Sequence, residues 1–342
     1  MKLAVVLFNL GGPDSLDAVE PFLRNLFGDP AIISLPTVLR KPLAWLIARR
    51  RAPVARAIYD KLGGSSPILA ETRAQADALD KLLTDSIDAK CFIAMRHWHP
   101  FADGAAAAVQ AWQPDRIVLL PLYPQFSTTT TGSSFDDWDR AARKIGLDVS
   151  TSRVCCFPDV PGFIAAEARL IQDVFKAARP DVQYRLLLSA HGLPKRTIAG
   201  GDPYQVQVER TARAIVDALG IENLDWTVCY QSRVGPLEWI GPATDAEIRR
   251  AGADGKGVVI APIAFVSEHS ETLVELDIEY AHLADQAGVP DYRRVRTVGT
   301  QPDFVTALAT LVSAAVGRQG VTNAAQVRIC PGTCTACGWG SG

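Results

Sequence analysis

No apolar run in this chain approaches the ~18 residues of a membrane span, and none of its glycine clusters forms a nucleotide loop. Gly11-Gly12-Pro13, Gly63-Gly64-Ser65-Ser66-Pro67 and Gly132-Ser133-Ser134 match neither the dinucleotide fingerprint nor the Walker A loop, so no nucleotide cofactor is expected. An excess of one charge is also missing. The formal net charge of -2 argues against a general nucleic-acid binder. The N-terminal apolar run before Asn9 is too short for a signal peptide and lacks a small-residue cleavage site, which predicts a cytoplasmic protein with at most a peripheral place on the inner face of a membrane. Cysteine is sparse: seven residues, an odd number, do not form a disulfide framework in a reducing compartment. What remains is ordinary globular composition, 48% apolar and 21% charged, and 342 residues suffice for about two domains.

Short apolar runs recur along the chain. Leu3 to Leu10, Lys90 to Met95, Arg116 to Leu122, Tyr184 to Ala190, Trp226 to Gln231, Val258 to Phe265 and Tyr292 to Val298 read as buried parallel strands. Helical patterns lie between many of them: Thr72 to Leu83, Gly162 to Ala178, Pro203 to Leu219, Glu271 to Gln286 and Pro302 to Val316. Strand and helix in alternation predict an α/β fold with parallel sheets flanked by helices. We place a domain boundary near Gly146, giving an N-terminal α/β domain over 1–145, a second over 146–318 and a cysteine-rich tail over 319–342. Polar residues gather just past the expected strand ends, at Asn9, Arg96, Tyr123, His191, Gln231 and Ser267-Glu268. In open α/β sheets that edge is where ligands bind.

Within 267–280, Glu268, Glu271, Glu275 and Glu279 follow one another at spacings of three, four and four. On a helix of roughly 100° per residue they share one stripe about 80° wide. Like charges so placed repel, strongly if buried. The row reads either as a solvated acidic face or as a carboxylate ladder that carries a cation or removes protons, and a local π-type widening would improve its alignment. His191, at the end of the run Leu186-Leu187-Leu188-Ser189-Ala190, has an apolar wall behind it and a turn ahead, which favours the neutral form a base needs. A structural histidine is the competing reading.

Leu35 to Lys61 is basic and apolar together. Arg40, Lys41, Arg49, Arg50, Arg51, Arg56 and Lys61 accompany Leu39, Leu43, Trp45, Leu46 and Ile47, as in an interfacial membrane contact or an amphipathic helix against the core. In the tail, Cys330, Cys334 and Cys337 are spaced to converge on one metal centre, zinc or [2Fe-2S], or else stand as unpaired thiols. A fourth ligand is needed, and Cys155 or Cys156 is the best source. Thr128 to Thr131 offers hydroxyls to an anion or is a polar turn.

Together Asn9-Leu10-Gly11-Gly12-Pro13, Tyr59 with Gly63-Gly64-Ser65-Ser66-Pro67, Arg96-His97-Trp98-His99-Pro100, Leu122-Tyr123-Pro124-Gln125-Phe126-Ser127, Ser189-Ala190-His191-Gly192-Leu193-Pro194, Gln231-Ser232-Arg233-Val234-Gly235-Pro236 and Ala264-Phe265 through Tyr280 resemble the ferrochelatase family. The resemblance covers residues 1 to about 318 and rests on seven motifs in the family's order. It implies the chelatase fold, two similar Rossmann-like domains around a central cleft, and insertion of Fe2+ into protoporphyrin IX to form protohaem. By that resemblance His191 is the active-site histidine and Glu271 its carboxylate partner, either one a ligand of the substrate Fe2+, with Glu268, Glu275 and Glu279 as a metal or proton path. Leu10, Tyr59, Ser66, Arg96, Tyr123, Trp239 and Phe265 match porphyrin-side positions. The basic 35–61 stretch matches a membrane-facing lip.

Some family members carry a C-terminal [2Fe-2S] cluster, and this tail resembles theirs in part. Its spacing differs, and the segment Phe126 to Gly132, which supplies the fourth cysteine in the vertebrate type, has threonines instead. The cluster expected here therefore uses Cys330, Cys334 and Cys337 with Cys156 or Cys155. Expected partners are protoporphyrin IX, Fe2+ and a membrane surface, with no nucleic acid, in a monomer or homodimer. The alternatives are a coproporphyrin ferrochelatase and, from another class, a non-catalytic tetrapyrrole-binding protein.

Overall fold

The computed structural model describes residues 1–84, 87–233, 235 and 237–340. Val234 and Pro236, both in the Gln231–Pro236 motif, lie outside the described residues. The chain divides into two compact units, one of Met1–Cys156 with Leu308–Ile329 and the residues from Gly338, the other of Phe157–Ala307 with Cys330–Cys337.

The first unit is built on a five-stranded parallel sheet in the order β2-β1-β3-β4-β9. Its strands are β1 (Lys2–Asn9), β2 (Asp88–Met95), β3 (Arg116–Pro121), β4 (Thr151–Val154) and β9 (Gly320–Thr322). From Leu3 to Phe8 every β1 residue is buried, as a central strand covered on both faces demands. Phe8 meets Phe135 and Trp138 edge-on at 5.9 and 6.0 Å in the core beneath the sheet. The helices of this unit are α1 (Val19–Gly28), α2 (Thr37–Asp60), α3 (Ile68–Thr84), α4 (Ala102–Trp112) and α5 (Ser133–Ile145). Gly146, where the sequence suggested a boundary, is the left-handed cap of α5 at φ 68°, and the chain stays in this unit through β4.

Helix α2 buries alanine and exposes its large residues. Ala44, Ala48 and Ala52, four apart, are buried, and Ala48 and Ala52 pack with Val19, Phe22 and Leu23 of α1, because small side chains let two helices approach closely. Val38, Leu39 and Trp45 are 78, 59 and 43% exposed, and Leu46 and Val54 are exposed with them. Arg49 stacks over the Trp45 ring at 5.4 Å. Among the described residues no helix is long and apolar enough to cross a membrane.

The second unit repeats the topology with four parallel strands in the order β6-β5-β7-β8. They are β5 (Tyr184–His191), β6 (Trp226–Gln231), β7 (Gly257–Pro262) and β8 (Tyr292–Arg294). Its helices are α6 (Pro161–Lys176), α7 (Lys195–Ala199), α8 (Tyr204–Leu219), α9 (Thr244–Ala253) and α10 (Tyr280–Gln286), while α11 (Pro302–Val316) begins in this unit and ends in the first. In each unit the chain leaves its first strand for one neighbour and then crosses to the other side. That reversal opens a crevice at the strands' C-terminal ends. One side chain of the core is out of place by charge: Glu167 of α6 is 0% exposed, and neither carboxyl oxygen has a hydrogen-bond partner.

Candidate active site

His191 ends β5, the strand from which the second sheet reverses direction. Its Nδ1 lies 2.6 Å from the Gly192 carbonyl oxygen, which can only accept, so Nδ1 carries the proton. Nε2 is thereby left as the ring nitrogen turned toward the Glu271 carboxylate. That atom stands 3.7 Å from Glu271 Oε1, and the other oxygen of Glu271 stands 3.7 Å from His269 Nε2. Burial pushes the Glu271 carboxyl up, but the His191 charge, the His269 hydrogen bond and the His269 charge outweigh it and hold the group at about 2. Glu271 is thus an ionised carboxylate set between two imidazoles.

The helix that carries it is a π-helix over Glu271–Glu279, continued by α10, so the widened turn expected from the glutamate spacing is present. Thr272, fully buried, fastens its start by donating to the His269 carbonyl and accepting from the His269 amide, each at 3.0 Å. Glu275 lies one turn on. Its carboxylate accepts from Ser232 N at 2.8 Å, Ser232 Oγ at 2.5 Å, Gln231 Nε2 at 3.0 Å and Tyr280 OH at 3.0 Å. Burial and the nearby Glu271 charge raise its pKa, while the Ser232 and Gln231 donors oppose that rise. Glu279 follows at the exposed end of the π-helix.

Glu268 takes another direction. It precedes the helix, and its Oε1 is held by Arg294 at 2.7 Å and by Thr297 N at 2.9 Å. Burial raises this carboxyl and Arg294 brings it below the usual range. The structure therefore brings His191, Glu271 and Glu275 together and ties Glu268 to Arg294 instead. Phe265 packs its ring 4.6 Å from that of His269. Trp239 pairs with Pro194 in an antiparallel bridge and lies so close over Gly192 that a Cβ there would come within 3.2 Å of its Cε3.

In the first unit Arg96 follows β2 and forms a half-buried ion pair with Asp29 at 2.9 Å, while its Nε donates to Ser133 Oγ at 2.6 Å. Leu10 and Ser66 are half-buried, and Ser66 N donates to the Pro13 carbonyl at 2.8 Å. Tyr123 buries its hydroxyl near Ser134, and burial pushes its pKa upward. Tyr59 is 7% exposed and taken up by the core of α1 and α2. The threonine run is a π-turn, Thr128–Gly132, started by Ser127 Oγ accepting from Thr129 N at 3.1 Å.

The tail thiols Cys330, Cys334 and Cys337 are 7, 5 and 4% exposed. Cys330 interacts with Cys337 first and Cys334 less, and these contacts with burial push its thiol far up. Gln207 Nε2 donates to its sulfur at 3.0 Å. Cys155 and Cys156 belong to the first unit, buried with their sulfurs 3.3 Å apart. In kind, three gathered soft donors suit a thiolate-bound metal centre. Among the described residues, however, no group of three or more His, Cys, Asp or Glu is arranged to hold a metal ion.

A family model described as Ferrochelatase matches residues 2–316. The chain belongs to the ferrochelatase family. The ferrochelatase of Caulobacter vibrioides (strain NA1000 / CB15N) is 54% identical over 345 aligned positions, covering 100% of this chain and 95% of the relative, so the likeness runs through the tail. That of Pelagibacter ubique is 53% identical, covering 91% of each. Among solved structures, the sirohydrochlorin chelatase SirB from Bacillus subtilis subspecies spizizenii in complex with cobalt aligns over 93% of this chain at TM-score 0.54 with 12% identity, a likeness of fold.

Reading the sequence as a ferrochelatase missed His269 as a partner of Glu271, and Ser232 and Tyr280 as donors to Glu275. The signal for His269 was its place two residues before Glu271. Its orientation depends on how the 263–270 loop returns from β7, which no periodicity reports.

Proposed function

We propose that this ferrochelatase-family lyase, whose substrates are Fe2+ and protoporphyrin IX, uses His191 Nε2 as the acceptor of a pyrrole proton. Forming protohaem requires two protons to leave the pyrrole nitrogens as the metal enters, so a base and an anionic group must stand together. The observation that carries the assignment is geometric: Nδ1 is committed to the Gly192 carbonyl, and Nε2 stands 3.7 Å from Glu271. Glu271 stabilises the imidazolium that forms, and either side chain can ligate the incoming Fe2+. Glu275 and Glu279 extend from Glu271 along the π-helix toward solvent and serve as the metal or proton path. Trp239 and Phe265 in one unit, and Leu10, Ser66, Arg96, Tyr123 and Tyr59 in the other, are proposed as the porphyrin-side residues.

The direct test is anaerobic Fe2+ insertion followed by the haem spectrum, with protoporphyrin and coproporphyrin compared side by side. His191→Ala should reduce turnover to near background with either porphyrin. Turnover at the wild-type rate would overturn the base assignment, and preference for coproporphyrin would replace the substrate.

We also propose that α2 rests on a membrane surface. Support comes from Val38, Leu39, Trp45 and Leu46, which face solvent among Arg40, Lys41, Arg49 and Arg50, the composition of an interfacial helix. For the tail we propose a [2Fe-2S] cluster on Cys330, Cys334 and Cys337 with Cys155 or Cys156 as fourth ligand. The support is burial of three thiols in a segment with little apolar surface to hold it folded. A red-brown protein with charge-transfer absorption is expected; a colourless protein with stoichiometric zinc would replace the cluster by zinc.

A further inference from the structure

The π-helix that carries Glu271 and Glu275 is held from behind by β8, the edge strand of its own unit's sheet. Tyr292 and Arg294 are two apart on that strand, so they share one face of it, and both reach the helix. Tyr292 packs with Leu276 and Ala284, and its hydroxyl donates to the Leu276 carbonyl at 2.7 Å. Arg294 forms a fork with Asp277, Nε to Oδ1 at 2.6 Å and Nη2 to Oδ2 at 2.7 Å, while its Nη1 holds Glu268 Oε1 at 2.7 Å. Glu268 precedes the helix and Asp277 lies in its last turn. A single guanidinium, 13% exposed, therefore joins the two ends.

The Leu276 contact answers a defect that the wide turn creates. In an α-helix the carbonyl of residue 276 would accept from the amide of residue 280. Here Tyr280 N donates to the Glu275 carbonyl, five residues back, and α10 begins at Tyr280. Leu276 O is thus deprived of its α-helical donor at the point where the i→i+5 ladder gives way to i→i+4, and Tyr292 OH takes that place. From the end of β6, Gln231 Nε2 donates to the Glu271 carbonyl at 2.9 Å and to the Glu275 carboxylate at 3.0 Å. One side of the helix fixes the carboxylates, and the other fixes the register that aligns them.

We propose that Tyr292 and Arg294 are positioning residues for metal insertion: they lock the 271–279 turn in its wide register and so hold the Glu271 and Glu275 carboxylates in line with His191. This rests on the reading of His191 and Glu271 as the acid–base pair. Both residues act through the helix, Tyr292 on its backbone and Arg294 on Asp277 and Glu268.

The test uses the full-length chain and follows amide hydrogen exchange of the porphyrin-free protein together with steady-state Fe2+ insertion. Tyr292→Phe removes one hydroxyl, and Arg294→Lys keeps the charge but loses the fork that joins Glu268 to Asp277. Each should speed exchange in 271–280 about five-fold and lower kcat about five-fold, the scale of one lost hydrogen bond. Exchange in β5 and β6 and the KM for porphyrin should not change. Arg293→Gln is the control: Arg293 lies on the opposite face of β8, with Nε 2.5 Å from Asp291 Oδ2, and its loss should leave kcat and the exchange of 271–280 at wild-type values. A merely stabilising role would speed exchange throughout the second unit and spare kcat. That result, unmoved exchange in 271–280, or faster exchange there with wild-type kcat, would overturn the proposal. If Arg294→Lys does not fold, Tyr292→Phe decides alone. His191→Ala keeps the two readings apart. If it retains turnover, the base assignment falls, and slower turnover with faster local exchange in Tyr292→Phe still supports the clamp. If it abolishes turnover while Tyr292→Phe and Arg294→Lys match the wild type, only the positioning role fails.

Discussion

Glu271 keeps its charge in a confined place because two imidazoles face it, and that balance has a pH signature. A carboxyl held at about 2 in the folded chain contributes stability that is complete above the ordinary carboxylate value and is lost as pH falls toward about 2. Glu271→Gln should therefore flatten the acid limb of the unfolding curve as well as slow iron insertion, by about ten-fold or more if the lost group stabilises developing charge. Glu167 shows the opposite sign. Burial first, and the Glu268 charge second, push its carboxyl well above the usual range, so the folded chain binds a proton there that the unfolded chain releases. Stability is then lost as pH rises above the ordinary carboxylate value. Glu167→Leu should raise stability at neutral pH by about 1–3 kcal/mol, the cost of a buried polar group without a partner, and the gain should be smaller near pH 4, where the unfolded chain holds the proton as well. Equal denaturation midpoints for the two proteins at neutral pH would show that the carboxyl is satisfied after all. At this scale the sequence was partly legible. His191 and Glu271 were visible from a strand end and a spacing, whereas Glu268 fell in the stripe only if the helix began before it, and the helix begins at Glu271.

At the scale of elements, α2 separates packing from exposure. The hydrophobic period in 35–61 announced a helix and left open whether its large residues face a membrane or the core. The contact with α1 takes Ala48, Ala52 and Tyr59 and leaves Leu39, Trp45 and Leu46 exposed. Two substitutions should part cleanly. Ala48→Leu overpacks the α1–α2 contact and should cost about 1–3 kcal/mol of stability while leaving vesicle affinity unchanged. Combined replacement of Leu39, Trp45 and Leu46 by Asp should leave the melting temperature within a few degrees and abolish flotation with anionic liposomes. Retained flotation would remove α2 from the membrane contact. The π-helix is the second element with a clear cause: its run of carboxylates gains a wider turn, with Tyr280 at its end reaching back to Glu275.

For the molecule as a whole, the alternation of apolar strands and helical patterns carried the fold class, and the same reversal of strand order in both units places His191 where ligands collect in such sheets. The last part of the chain was less legible. Gly320–Thr322 is too short for any period to declare it a strand, and only its partner β4 makes it one. The path of the tail, to the first sheet, then to α8, then back to the first unit, is tertiary information.

Strand β9 also sets an order of events during synthesis. The first unit has its β1, β2, β3 and β4 within 154 residues of the N-terminus, yet its fifth strand is made of residues 320–322. Until nearly the whole chain has left the ribosome, β4 is an open sheet edge, with unpaired amides and carbonyls where Gly320, Val321 and Thr322 will bind. The nascent chain therefore carries an open edge while residues 157–307 are translated, a stage at which unpaired strand edges favour aggregation. A chain stalled after residue 316 should aggregate, and one stalled after the tail has emerged should not.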